Sequence, residues 1–180
     1  GDHLMESCDY IFIAGDLNYR LDAPREMVES VIERIKAAST DDEITATKDS
    51  LYRELLKHDQ LRHVMASKDA FPKFNEGRIA FAPTFKFDKG TNVYDTSAKQ
   101  RVPAWTDRIV FRRGGGWGGV GGGGTAFGPV RVLEYNSVEG EWHSDHRPVL
   151  ARFSVDLDGA DYGRRREDDG KNRMSDEGAR

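Results

Sequence analysis

Apolar positions fall into a helical regime and then an extended one along this chain. Residues 10–14, YIFIA, are a continuous apolar run closed by Gly15, which predicts a strand covered on both faces. Next, Asp22 and Pro24 can start a helix, and Met27, Val28, Val31, Ile32 and Ile35 recur at helical spacing. A polar interval around residues 40–47 leads to a second predicted helix from about Ser50, with Leu51, Leu55, Leu61 and Val64 as its apolar positions and a break near Asp59. After Pro72 the period shortens. RIAFAPTFKFD alternates apolar and polar side chains and is rich in aromatics, predicting a strand interrupted at Pro83. Further strands are predicted at about residues 108–112, over VRVLEYN, and over RPVLARFSV, where Val149, Ala151, Phe153 and Val155 share a face. A strand, two helices and then several strands point to α/β or α+β with a mixed or antiparallel sheet.

Two stretches fall outside this patterning. GGGWGGVGGGG, residues 114–124, contains GxGxxG matches only because nearly every position is glycine, and no helix pattern follows. It reads as a flexible hairpin insertion. Residues 156–180 are charged and glycine-containing with scarcely an apolar residue, and read as a disordered tail after a domain over residues 1–155.

Composition narrows the setting. A length of 180 residues suffices for one domain with a core. No apolar run approaches the roughly 20 residues of a membrane span. The opening GDHLMESCDY lacks the basic flank and apolar stretch of a signal peptide. Cys8, the single cysteine, excludes an internal disulfide framework and fits a reducing, cytoplasmic compartment. A net charge of −4 argues against broad nucleic-acid binding, though it permits a local cationic pocket.

Three clusters could carry chemistry. In GDLNYRLD, Asp16 and Asn18 are two apart and project to one side of an extended segment. A carboxylate beside an amide can hold a water or a phosphoryl oxygen, and it can equally stabilise a turn. In SDHRP, His146 stands between an acid and an arginine, and imidazole can act as acid, base or phosphate contact. His143 with His146 would be only two metal ligands, and two do not make a site. In PTFKFDKGTNVYDTSAKQRVPAWTDR, Lys86, Lys99 and Arg101 are cations, Tyr94 a hydroxyl donor and Asp107 a carboxylate. If that segment is extended, Lys99 and Arg101 share a face as a two-pronged phosphate grip. A solvated basic loop neutralised by Asp88 and Asp95 is the other reading.

Taken in order, GDLNYRLD, FAPTFKFDKGTNVYDTSAKQRVPAWTDRIVF and SDHRPV, with LLKHDQL and FNEGRIAF between them, resemble the inositol polyphosphate 5-phosphatases. That family has the DNase I-like fold, a four-layer α/β/β/α sandwich. The resemblance runs over about residues 10–155 and implies the C-terminal half of such a domain. It implies Asp16 as water activator, Asn18 and His146 as contacts to the scissile phosphate, and Asp107 as the partner that holds His146 charged. It further implies Asp145 in the metal and phosphate geometry, and Arg20, Lys86, Lys99, Arg101 and Tyr94 on the phosphates that are not cleaved. Phe85 stands where the family usually has tyrosine, and Thr106 where cysteine is frequent.

The glutamate by which the family binds Mg²⁺ lies upstream of GDxN, and nothing in residues 1–9 resembles its surroundings. The implied activity is Mg²⁺-dependent removal of the 5-phosphate from phosphoinositides such as phosphatidylinositol 4,5-bisphosphate, or from soluble inositol polyphosphates. Contact with the membrane would be peripheral, through the lipid headgroup. Two other readings stand beside it: a non-catalytic phosphoinositide-binding fragment that keeps the cationic grip, and a nuclease of the same fold. The lysine-rich central motif and the acidic net charge disfavour the nuclease.

Overall fold

The structure, a computed structural model, describes residues 8–38, 42–113 and 129–155. The glycine-rich stretch at residues 114–124 and the charged segment at 156–180 lie outside the described residues. The chain divides into two compact units. One comprises Gly1–Ile11, Arg113–Arg131 and Phe153–Arg180; the other, Phe12–Arg112 with Val132–Arg152, holds every candidate site residue named above.

Strand β1 (Tyr10–Asp16) joins β2 (Asn75–Glu76) and β3 (Asp107–Arg113) in a three-stranded sheet of order β1-β3-β2. Strands β2 and β3 are antiparallel, with Asn75 opposite Phe111 and Glu76 opposite Val110. Strands β4 (Arg131–Ser137) and β5 (Val149–Ser154) form a separate pair. Val149, Ala151 and Phe153 are the less exposed set along β5, as their alternation predicts. The expectation of a fully covered first strand needs correction. β1 lies at the edge of the described sheet, and Phe12 is 42% exposed, its ring centroid 6.3 Å from that of Phe111.

Helix α1 (Arg25–Ala37) follows Pro24 and buries Val28, Val31, Ile32 and Ile35, its one apolar stripe. Helix α2 (Asp42–Leu56) begins well before Ser50. Its first two turns carry no apolar stripe in the sequence to reveal them. Asp59 breaks the chain as predicted, and its carboxylate accepts from the Arg62 N–H at 2.9 Å, capping α3 (Gln60–Ser67). Helices α1 and α2 pack their apolar faces into one core with Leu21, Phe81, Phe87 and Trp105.

The alternating stretch around Pro83 forms no ladder. Phe85 makes isolated pairings with Ala104 and with His146, and Phe87 pairs with Tyr94. Pro83 has no N–H to offer a ladder, and Phe85 is shared between two different chain segments. This shared segment brings the central motif and SDHRP together.

One buried cluster anchors the start of β3. Arg108 donates to Glu76 Oε1 and Oε2, each at 2.6 Å, and to Asp59 Oδ2 at 2.8 Å. Tyr135 adds its hydroxyl to Glu76 at 2.9 Å. Burial alone would lower the Arg108 guanidinium, but the two carboxylates outweigh it and raise it above the usual arginine range.

Candidate active site

With Arg108 locked inward, strand alternation turns Asp107 to the opposite face of β3. There Asp107 Oδ2 lies 2.7 Å from His146 Nδ1 and accepts from the Thr106 hydroxyl at 2.9 Å. Thr106 Oγ1 is also 3.4 Å from His146 Nδ1. The imidazole is therefore fixed through Nδ1, leaving Nε2 for a ligand. Its ring packs on Phe85, centroids 4.6 Å apart.

GDLNYRLD leaves β1 through Gly15 at φ +147 and Asn18 at φ +59, a conformation asparagine tolerates better than most residues. The Asn18 N–H donates to Asp16 Oδ1 at 2.9 Å, and the Leu17 N–H donates to the Thr106 carbonyl at 2.8 Å. Turn chemistry and site placement thus coincide: the Asp16 bend is pinned to the residue beside Asp107. Arg20 donates to Asn18 Oδ1 from Nε at 3.1 Å and also from Nη2, and its guanidinium sits 4.2 Å from the Phe85 ring centroid. Gln60 holds this loop from α3, accepting from the Arg20 N–H at 2.9 Å and donating to Asp22 at 2.7 Å. Burial lowers the Arg20 guanidinium below its usual range; Asp16 opposes that, Arg101 adds to it, and Asp107 opposes it. Arg20 is thus within electrostatic reach of Asp16, Arg101 and Asp107.

The remaining predicted residues separate. Lys86 Nζ is 3.8 Å from Asp145 Oδ2, both side chains about three-quarters buried. Lys99 and Arg101 do not share an extended face. Residues 97–100 form a turn, with the Gln100 N–H on the Ser97 carbonyl at 3.0 Å and Gln100 at φ +46. Asp95 causes this: its buried carboxylate accepts from the Ser97 N–H at 3.1 Å and the Arg101 N–H at 2.9 Å. Neither Lys99 nor Arg101 has a carboxylate partner among the described residues. Tyr94 belongs to the core rather than to an open grip. Its ring stacks on Phe87 at 4.4 Å and its hydroxyl donates to the Pro83 carbonyl at 2.9 Å, with burial pushing it well above the usual phenol range. His143 is exposed, 3.9 Å from Glu141, while His146 is engaged by Asp107, so the two do not form a metal pair.

Thr106 and Gln60 position the site without having been singled out for it. A threonine before Asp107 carried a signal, because it departs from the family's cysteine; Gln60 lay within LLKHDQL, a motif that joined the resemblance without a role of its own.

The donor set does not fit a self-sufficient metal centre. Among the described residues no three His, Cys, Asp or Glu side chains gather to hold an ion. Asp107 is occupied by His146 and Thr106, and Asp145 faces Lys86, so Asp145 would be at most one ligand.

The model of Endonuclease/Exonuclease/phosphatase family 2 matches residues 1–152. An inositol-1,4,5-trisphosphate 5-phosphatase of Schizosaccharomyces pombe is 36% identical over 149 residues, 83% of this chain and 11% of that protein. A phosphatidylinositol 4,5-bisphosphate 5-phosphatase of Saccharomyces cerevisiae is 41% identical over 145 residues, 81% of this chain and 12% of that protein. The chain thus spans about an eighth or less of these curated relatives. Among solved structures, the inositol polyphosphate 5-phosphatase domain of SPSynaptojanin, in complex with inositol (1,4)-bisphosphate and calcium, superposes with a TM-score of 0.61 at 32% identity. The match covers 92% of this chain and 43% of that one, so the fold is DNase I-like α/β. A Cimex nitrophorin, solved as a ferrous NO complex, superposes equally well at 30% identity, so function has to be argued from the site rather than from the fold. No helix of the described residues is long and apolar enough to cross a membrane.

Proposed function

The chain belongs to the endonuclease/exonuclease/phosphatase family, and from that premise we propose that its site serves hydrolysis of the 5-phosphate of phosphoinositides or soluble inositol polyphosphates. The observation that carries this reading is the 2.7 Å His146–Asp107 pair, with Arg20 lying over Phe85, the ring on which His146 packs. A phosphoryl group reaching His146 Nε2 would meet a donor already oriented by Asp107, and fixed donors need little rearrangement as charge develops. Asn18 would offer its amide to the same group, and Asp16 would accept the proton of the attacking water. Arg20, Lys99 and Arg101, with Lys86 restrained by Asp145, would hold the phosphates that stay on the ring and so set position and specificity. Phosphatidylinositol 4,5-bisphosphate is the proposed lipid, reached through its headgroup by peripheral contact at the cytoplasmic face of a membrane.

Mg²⁺ dependence is part of the proposal and draws support from the calcium in the related solved domain. Its ligands would have to include atoms beyond the described residues or the substrate's own oxygens. The same donor set favours a second reading, a phosphoinositide-binding protein without turnover. Vesicle binding and phosphate release, measured side by side on phosphatidylinositol 4,5-bisphosphate, separate the two. Release with Mg²⁺ supports the phosphatase. Binding that is lost in Arg20→Gln and Arg101→Gln, with no release, supports the second reading and overturns the first.

A further inference from the structure

The wall that carries Phe85 and His146 has another side. The Arg147 N–H donates to the Thr84 carbonyl at 2.8 Å, tying the two segments together. Beside that tie lies a cavity of about 270 Å³ lined by Lys36, Thr84, Phe87, Tyr94, Trp142 and Arg147 among others. None of Asp16, Asn18, Arg20, Asp107 and His146 lines it, so it is separate from the candidate active site.

Its chemistry is unbalanced. Arg147 is 5% exposed and has no carboxylate partner among the described residues. Its guanidinium lies 3.7 Å from the Phe87 ring centroid and donates to the Ser144 carbonyl at 3.2 Å and to the Thr91 carbonyl. A buried cation without a counter-ion is costly, and carbonyls and a ring face answer only part of its charge. Burial accordingly lowers the Arg147 guanidinium below its usual range. The Thr84 hydroxyl is fully buried and has no hydrogen-bond partner among the described residues, a state most buried polar groups avoid. Lys36, paired with Glu33 at 2.9 Å, adds a second cation, while Glu139 is the one carboxylate in the lining. The stacked Phe87–Tyr94 pair and the 45%-exposed Trp142 supply flat apolar surface.

We propose that this cavity is a second ligand site that takes a small organic acid, its carboxylate or phosphate head toward Arg147 and Lys36 and its planar or aliphatic body against Trp142 and Tyr94. The inference does not depend on the proposed hydrolysis. Calorimetric titration of the 180-residue chain with benzoate and phenyl phosphate, and with neutral benzamide, tests it. Both anions are expected to bind with Kd at or below about 1 mM, and benzamide about tenfold more weakly or worse. Arg147→Gln should weaken anion binding about tenfold or more. Should that variant not fold, Lys36→Gln and Trp142→Ala replace half-exposed side chains at the same cavity and should each weaken binding severalfold. Arg20→Gln and Arg101→Gln, which bear on the phosphate grip of the other site, should leave benzoate binding unchanged. Failure of both anions to bind, binding no tighter than benzamide, or binding lost with Arg20→Gln but kept in Lys36→Gln and Trp142→Ala would overturn the proposal.

Discussion

The His146 ring is oriented by one short side-chain contact, the 2.7 Å approach of Asp107 Oδ2 to Nδ1, and Thr106 shares that same oxygen. Asp107→Asn keeps the shape but offers an amide where a carboxylate stood. Phosphate release should fall by about 100-fold or more while substrate binding changes little, a split that steady-state kinetics would display. Behind Asp107, Arg108→Met would leave Asp59 and Glu76 buried without their cation. Urea unfolding should report a loss of about 3–5 kcal/mol, the usual cost of breaking a buried pair from one side. The resemblance carried by the ordered motifs singled out His146 and Asp107, whose side chains lie 2.7 Å apart. It did not reveal that Arg108, one residue on, builds a buried cluster with Asp59 and Glu76, since those partners are 49 and 32 residues away.

At the scale of elements, helical periodicity was the most legible signal. Val28, Val31, Ile32 and Ile35 form the buried stripe of α1 as predicted, whereas the front of α2 had no stripe to read. The strand around Pro83 and the extended grip at residues 99–101 were misread for one shared reason. Local alternation carries no information about a buried carboxylate that bends the chain, or about a residue paired on two sides. Asp95 is that carboxylate. Burial by itself would raise it, but hydrogen bonds from Ser97 and Arg101, aided by Lys86, bring it from its ordinary 3.8 down to about 2. A depressed carboxyl stabilises the fold above its unfolded value and loses that contribution as pH falls from about 4 to about 2. Asp95→Asn should remove that limb of the acid-unfolding profile and cost about 1–2 kcal/mol at neutral pH. Next to β2, a Cβ added at Gly77 would come within 2.7 Å of Tyr135 Cδ1 and 3.0 Å of its Cβ. Gly77→Ala should therefore push Tyr135 off Glu76 and lower stability by about 1–3 kcal/mol, visible as a shifted urea midpoint with unchanged slope.

For the whole molecule, the DNase I-like α/β fold was readable from the ordered motifs, and the comparisons bear it out over 92% of the chain. The partial exposure of β1 was not readable, because an apolar run looks the same whether one face or both are covered. The site's logic also belongs to this scale. GDLNYRLD, the Phe85 segment, β3 and SDHRP meet from four parts of the chain: the Leu17 N–H bonds to Thr106, Arg20 lies over Phe85, Phe85 packs on His146, and His146 meets Asp107. The most direct test is release of the 5-phosphate from phosphatidylinositol 4,5-bisphosphate with Mg²⁺, comparing this chain with His146→Ala. The account predicts release by the unchanged chain and a drop of at least about 100-fold in the variant, with binding retained. Equal release by both proteins, or none by either, would contradict it.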